Sequence, residues 1–135
     1  MQDAFYDAPA LAQFYDWDCP WTADFDWFAG LVDTAGSVLD LGCGTGLFTT
    51  ALAARGIEAV GVDPARAMPD IARARDGGSR VTWVHARAQE LDLGRRFGAV
   101  VMTGHAFQTL PTPADRSAVL RTITRHPAPG GAILL

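Results

Sequence analysis

The sequence has no lysine and only two cysteines, and each scarcity excludes a class of function. All 11 basic residues among the 135 are arginine, which excludes a lysine Schiff base and a phosphate-binding loop that depends on lysine. Cys19 and Cys43 are too few for a disulfide framework, and no cysteine–histidine spacing typical of a metal site occurs. We therefore expect a metal-free protein in a reducing cytoplasm.

Long apolar runs are also absent. No run approaches the 18 or so residues that a membrane span requires. The stretch Met1–Phe5 has neither the basic region nor the apolar region of a secretory signal. With 49% hydrophobic and 19% charged residues, the composition is that of a single globular domain without membrane association.

Charge is distributed unevenly along the chain. The first 33 residues contain seven aspartates and no basic residue, whereas the other 102 contain 11 arginines and eight acidic residues, a net charge of +3. The overall charge of −4 argues against general nucleic-acid binding. Clustered aspartates near the N-terminus instead favour a cationic ligand.

The pattern of apolar residues changes after residue 36. Before it, aromatic residues at helical spacing predict a helix that begins at Asp18 or Cys19 with Pro20 in its first turn. After it, short apolar strands alternate with helices, which predicts a doubly wound, mostly parallel α/β sheet of about five strands. We therefore assign an N-terminal helical cap to residues 1–36 and a Rossmann-like core to residues 37–135. The predicted strands cover 37–41, 58–63, 81–85, 97–103 and, after a turn at 127–131, 132–135.

A glycine-rich loop follows the first predicted strand. Its pattern is Asp40-x-Gly42-x-Gly44-x-Gly46, and the third glycine of a dinucleotide fingerprint would have to stand where Leu47 is. The carboxylate of Asp40 would also repel a pyrophosphate. Both observations disfavour a nicotinamide-dependent oxidoreductase and favour a nucleoside with a cationic tail.

An acidic residue ends the second predicted strand. Asp63 lies about 20 residues after the loop, where a carboxylate accepts hydrogen bonds from ribose hydroxyls. The carboxyl ends of parallel strands meet at one edge of a sheet, so Asp63 and the loop are expected to border the same ligand.

Several segments resemble the class I methyltransferases that use S-adenosylmethionine, in particular the members that act on small molecules. The first motif is Val38-Leu39-Asp40-Leu41-Gly42-Cys43-Gly44-Thr45-Gly46. The resemblance continues through Gly61–Pro64 with Met68, Phe97–His105, Pro127–Gly131, and the pairs Tyr6-Asp7 and Tyr15-Asp16.

The resemblance implies S-adenosylmethionine as cofactor and a small-molecule methyl acceptor. His105 is the candidate base, because an imidazole can exchange a proton near neutral pH; the alternative is a packing or hydrogen-bonding role beside the cofactor. The implied cofactor-binding residues are Asp40, Gly42, Cys43, Gly44, Gly46, Asp63, Pro64, Met68, Ala88, Gln89, Thr103, Tyr6 and Tyr15. One departure concerns Arg87, which stands where the family often has an acid that reads the adenine amino group. Arginine has no acceptor, so Gln89 or a backbone carbonyl is the alternative.

The family sheet has seven strands, and this sequence supplies five of them. The resemblance therefore implies a C-terminally truncated copy, whose fifth strand would form an exposed apolar edge suited to a homodimer. The alternative function is a non-catalytic remnant that binds a nucleoside or a partner chain.

Overall fold

The computed structural model of the chain describes residues 8–135, so the predicted role of Tyr6 lies outside the described residues. Two four-residue helices, a longer helix and an alternating series of strands and helices follow one another. In chain order these are α1 (Pro9–Ala12), α2 (Tyr15–Asp18), α3 (Ala23–Val32), β1 (Ser37–Leu41), α4 (Leu47–Ala54), β2 (Glu58–Asp63), α5 (Ala67–Ala74), β3 (Thr82–His85), β4 (Phe97–Val101), α6 (Pro113–Arg125) and β5 (Pro127–Leu134).

The five strands form one parallel sheet in the order β3-β2-β1-β4-β5. In the centre of the sheet, Leu39 of β1 pairs with Val60 of β2 on one side and Val100 of β4 on the other. The chain winds outward from β1 to β3 and then returns to β4 on the opposite side. This reversal creates a crevice between β1 and β4 at the carboxyl ends, where doubly wound sheets bind their ligands. The predicted fold class is confirmed.

Alternating side chains of the sheet enter two separate cores. Leu39 and Leu41 of β1 pack with Val119 and Ile123 of α6 on one face. Val38, two residues before Asp40, lies on the other face with α3 and α4. Since successive strand residues point to opposite sides, Asp40 also points toward the face that α4 covers.

Helix α3 begins later than the sequence predicts. Helix α2 ends at Asp18, with Cys19 as its C-cap. The backbone at Thr22 is extended (φ −123°, ψ 165°), and α3 starts at Ala23. The indole Nε1 of Trp21 donates to the Asp26 carboxylate at 3.1 Å. This bond folds the tryptophan back over the first turn of α3, so residues 20–22 lead into the helix rather than belong to it.

Strand β5 corrects a second prediction, because Pro127–Gly131 is part of the strand and not a turn before it. Phe97 pairs with Pro127, and only two residues later Ala99 pairs with Ala132. The three extra residues on β5 are accommodated as a bulge in which Gly130 has φ +75°. Proline and glycine are tolerated there because β5 is an edge strand of the described sheet.

The helices of residues 8–135 are short, and none is long and apolar enough to cross a membrane.

Candidate functional site

The glycine loop lies between β1 and α4 at the carboxyl end of the sheet. Gly42, Gly44 and Gly46 have φ values of +73°, +56° and +79°, a conformation that residues with a β-carbon rarely adopt. The amides of Gly42 and Cys43 both donate to the Val62 carbonyl, at 2.7 and 3.0 Å. The loop is therefore held against the end of β2, as the predicted motif requires.

Each loop glycine is in close contact with a different element. A β-carbon on Gly46 would lie 2.4 Å from the Trp83 ring, and one on Gly42 would lie 2.9 Å from the Ala106 methyl group. A β-carbon on Gly44 would lie 3.1 Å from the Tyr15 hydroxyl oxygen. Trp83 thus packs behind the loop, whereas Tyr15 and the segment after β4 cover it.

Asp40 is a buried carboxyl group with one satisfied oxygen. Its side chain is 1% exposed, and Oδ2 accepts a 2.7 Å hydrogen bond from the Thr49 hydroxyl. Oδ1 has no hydrogen-bond partner, and among residues 8–135 no other buried side-chain oxygen or nitrogen lacks one. Burial raises the pKa of Asp40 from 3.8 to about 7; the Thr49 bond opposes this rise and the nearby negative charge of Asp63 adds to it.

Asp63 joins the end of β2 to the glycine loop. Its Oδ2 accepts from the Gly44 amide at 2.9 Å, and Oδ1 accepts from the Ala65 amide at 2.8 Å. Asp63 therefore fixes the glycine loop at Gly44 against the end of β2.

Cys43 contributes its backbone to the loop. Burial and the negative charges of Asp40 and Asp63 raise the pKa of the Cys43 thiol well above its usual value of 9.0. Because the thiolate is the reactive form, this cysteine is not an activated nucleophile.

Thr103 and His105 follow β4 on the segment that covers the loop. His105 is exposed and Thr103 is half-buried, while the neighbouring Ala106 makes the contact with Gly42. His105 is thus next in sequence to a residue that contacts the loop, and its role as a base stays a prediction. The His85 ring, by contrast, is hydrogen-bonded to the Pro64 carbonyl at 3.0 Å.

The residues assigned to the adenine border are in different surroundings. Pro64 is half-buried, but Met68 is 1% exposed and packs in a cluster with Ala12, Ala65 and Tyr15. Contact between Met68 and an adenine stays a prediction, and this packing is the role that the structure gives the side chain.

A polar cluster surrounds Gln89. Its amide nitrogen donates to Asp115 at 3.1 Å, and Arg87 pairs with both Asp115 and Glu90. Since the Gln89 nitrogen faces Asp115, its amide oxygen is directed elsewhere and can serve as an acceptor. The buried Ala88 beside it offers its carbonyl to the Thr122 hydroxyl at 2.6 Å.

Sequence reasoning missed several residues that hold the site together. Thr49 supplies the hydrogen bond of Asp40 from the first turn of α4, and Trp83 fills the space behind Gly46. The sequence analysis did not single out Thr49 or Trp83, because their contacts depend on how α4 and β3 pack. No group of three histidine, cysteine or acidic residues within residues 8–135 is arranged to hold a metal ion.

Comparison with known proteins identifies the family. Residues 38–131 match the family described as "Methyltransferase domain". The chain belongs to this methyltransferase family. The match contains β1, the glycine loop, Asp63 and the segment after β4, so it covers the whole described crevice apart from the N-terminal helices.

Curated relatives match most of the chain. Cypemycin N-terminal methyltransferase of Streptomyces sp is 36% identical over 99 residues, which are 73% of this chain and 40% of the relative. Ubiquinone biosynthesis O-methyltransferase of Azorhizobium caulinodans is 36% identical over 101 residues, 73% of this chain and 38% of the relative. The chain thus matches about two fifths of these relatives.

Solved structures agree with this assignment. The sugar N-methyltransferase KedS8 from Streptoalloteichus sp has a TM-score of 0.80 at 26% identity, covering 99% of this chain and 55% of that protein. CalS10, an amino pentose methyltransferase from Micromonospora echinaspora solved with SAM bound, has a TM-score of 0.78 at 29% identity, covering 99% of this chain and 58% of that protein. The methyltransferase chain described here therefore spans a little over half the length of these structures.

Proposed function

We propose that the chain binds S-adenosylmethionine at the glycine loop and supplies the cofactor-binding part of a small-molecule methyltransferase. The observation that carries this proposal is the unpaired, buried Oδ1 of Asp40 beside three glycines with positive φ. A buried acceptor without a partner is unfavourable by about 1–3 kcal/mol, and a cationic ligand group would satisfy it. CalS10 was solved with SAM bound, which supports the same ligand here.

Three features of the site fit this cofactor. The positive ammonium group of its methionine part suits Asp40, whereas a pyrophosphate would be repelled there. Asp63 lies at the end of β2 beside the loop, where a carboxylate can accept hydrogen bonds from ribose hydroxyls. Gly44 is in a left-handed conformation and the Tyr15 ring lies against it, so an aromatic side chain borders the proposed site beside the loop backbone.

The proposed reaction transfers a methyl group to a nucleophile. S-adenosylmethionine, when bound, supplies an electrophilic methyl group on a sulfonium centre. The chain's own task is to orient the reactants and exclude water. Tyr15 and the 103–106 segment cover the loop from two sides, and the imidazole of exposed His105 is available to accept a proton from a nucleophile that must lose one.

The acceptor is proposed to be a small molecule. KedS8 is a sugar N-methyltransferase and CalS10 an amino pentose methyltransferase, and both share the arrangement of strands described here. An amino sugar is one member of this class. A cytoplasmic location and a homodimer formed through the β5 edge complete the proposal. The support for the homodimer is the exposure of Ile133 (43%) and Leu135 (57%) beside that edge.

Calorimetric titration with three ligands tests the proposed function. We expect S-adenosylmethionine and S-adenosylhomocysteine to bind and a nicotinamide dinucleotide not to bind. Binding without methyl transfer to a panel of amine and hydroxyl acceptors would favour the alternative of a non-catalytic nucleoside binder. Preferential binding of the dinucleotide would contradict the proposal, because the pyrophosphate would then have to be accepted beside Asp40.

A further inference from the structure

A polar cluster joins the N-terminal helices to the glycine loop. It consists of Asp16 on α2, Thr45 in the loop and Arg75 just after α5, hereafter the Asp16 cluster. The Asp16 carboxylate accepts from the Thr45 hydroxyl and forms an ion pair with the Arg75 guanidinium. Arg75 also donates from Nε to the Thr45 carbonyl at 3.1 Å and from a terminal nitrogen to the Thr45 hydroxyl at 3.2 Å.

The cluster is partly shielded from water. The side chain of Arg75 is 21% exposed and that of Asp16 is 36% exposed, while Thr45 is 1% exposed. The ion pair between Arg73 and Asp70 on α5 is more exposed to water, since these side chains are 54% and 76% exposed. A shielded, hydrogen-bonded ion pair contributes more than an exposed one, whose contribution is small.

The Asp16 cluster stands directly beside the proposed cofactor site. Tyr15, the preceding residue, is the side chain that covers Gly44, and the Gly44 amide donates to Asp63. Thr45 follows Gly44 in the same loop. A displacement of Asp16 would therefore move Tyr15 away from the loop glycine.

Among the described residues, helices α1 and α2 bury few side chains. Helices α1 and α2 contain four residues each, and isolated helices of that length are unstable in water. Within the described part of these helices, only Ala12 is buried, whereas Phe14 and Trp17 are 46% and 82% exposed. The contacts around Met68 and the Asp16 cluster both hold this segment against the core.

We propose that Asp16, Thr45 and Arg75 are positioning residues that fasten residues 8–19 over the glycine loop. They hold Tyr15 against Gly44, and breaking the ion pair opens a path to the crevice. The Asp16 cluster thereby sets the rate at which a ligand enters and leaves. The fastening is a property of the ligand-free chain, while its effect on ligand exchange rests on the proposed cofactor site.

Hydrogen exchange of the ligand-free chain tests the fastening independently of ligand binding. In Arg75→Gln and in Asp16→Asn, we expect amides of residues 8–19 to exchange about tenfold faster than in the wild type, as a charged hydrogen bond is lost. The matched controls are Arg73→Gln on α5 and Asp18→Asn on α2, which remove the same kinds of charge outside the Asp16 cluster. Amide exchange of residues 8–19 in both controls is expected to match the wild type. Unchanged exchange in both cluster variants would overturn the proposal.

Two further measurements separate positioning from general stability. Amide exchange in strands β1 and β2 should be the same in the cluster variants as in the wild type. An equal acceleration in these strands would overturn the proposal, because the cluster would then stabilise the whole fold and not residues 8–19 in particular. Stopped-flow dissociation of S-adenosylhomocysteine should be about tenfold faster in both cluster variants than in the controls. If the wild type binds no S-adenosyl ligand, the proposed function fails while the exchange result still decides whether the fastening exists.

Discussion

Asp40 combines burial, an unpaired oxygen and a pKa near neutrality. Because its pKa is about 7 in the folded chain and 3.8 ordinarily, the folded state binds the proton more tightly than the unfolded state. This preference stabilises the fold fully below about pH 4, and the stabilisation is lost as the pH rises through 7. A cationic ligand would reverse the preference by favouring the carboxylate, so ligand binding and deprotonation are coupled.

The substitution Asp40→Asn is expected to change the pH dependence of stability. Between pH 5 and pH 7.5 the wild type should lose about 2 kcal/mol of unfolding free energy relative to the variant, since one unit of pKa corresponds to about 1.4 kcal/mol. Urea unfolding at both pH values measures this difference. Because the variant keeps every other titrating group, it is the reference for their contributions to the wild-type profile. Parallel pH profiles of the two proteins would contradict the burial of a protonated Asp40.

Individual site residues differ in how well the sequence predicts them. Asp40 and Asp63 are found at the strand ends where the motif spacing puts them, because short strands and tight turns leave little freedom. Thr49 and Arg75 are not predictable in this way, since their contacts depend on the rotation and end point of α4 and α5. The adenine contact of Met68 is implied by the resemblance and stays a prediction, while the packing of α5 against α1 buries that side chain.

At the scale of elements, the central strands follow directly from the sequence. β1 and β2 have the predicted bounds: β1 lies between two glycines, and β2 is a mostly apolar run that begins at Glu58 and ends at Asp63. Helix α6 likewise starts at Pro113, with the Thr112 hydroxyl accepting from the Asp115 amide at 3.0 Å.

The elements that differ most from prediction are α3, β4 and β5, and β4 ends at Val101, two residues before its predicted end. Local turn signals at Pro127–Gly131 were overridden because β5 pairs with β4 from Pro127 onward and absorbs the extra residues as a bulge. The start of α3 moved because the Trp21–Asp26 bond orients the residues before it. The sequence identifies both β5 and α3; pairing with β4 sets the start of β5, and a local side-chain bond accompanies the start of α3.

At the scale of the whole molecule, the edge of β5 is the feature most open to association. Among residues 8–135 the strand pairs only with β4, and its other edge leaves backbone donors and acceptors available for a second copy. Ile133 and Leu135 add exposed apolar surface, whose burial is favourable by roughly 25 cal/mol per Å².

We expect the isolated chain to form dimers or larger species through this edge. Ile133→Lys should shift light-scattering mass toward the monomer, because charged side chains discourage edge pairing. The control Leu120→Lys changes a side chain of similar exposure, 42%, on α6, and should leave the mass unchanged. A wild-type chain that stays monomeric at high concentration would contradict the predicted homodimer.

The central claim is that the crevice beside the glycine loop holds an adenosine-containing cofactor through Asp63. The most direct measurement is a double-mutant cycle by calorimetry, combining wild type and Asp63→Ala with S-adenosylmethionine and its 2′,3′-dideoxyribose analogue. Removing the hydroxyls should weaken binding to the wild type by roughly 1–3 kcal/mol and to the variant by much less. Asp70→Ala, which alters an exposed aspartate, should behave like the wild type. Equal losses in wild type and Asp63→Ala, or no binding of S-adenosylmethionine to the wild type, would contradict the account.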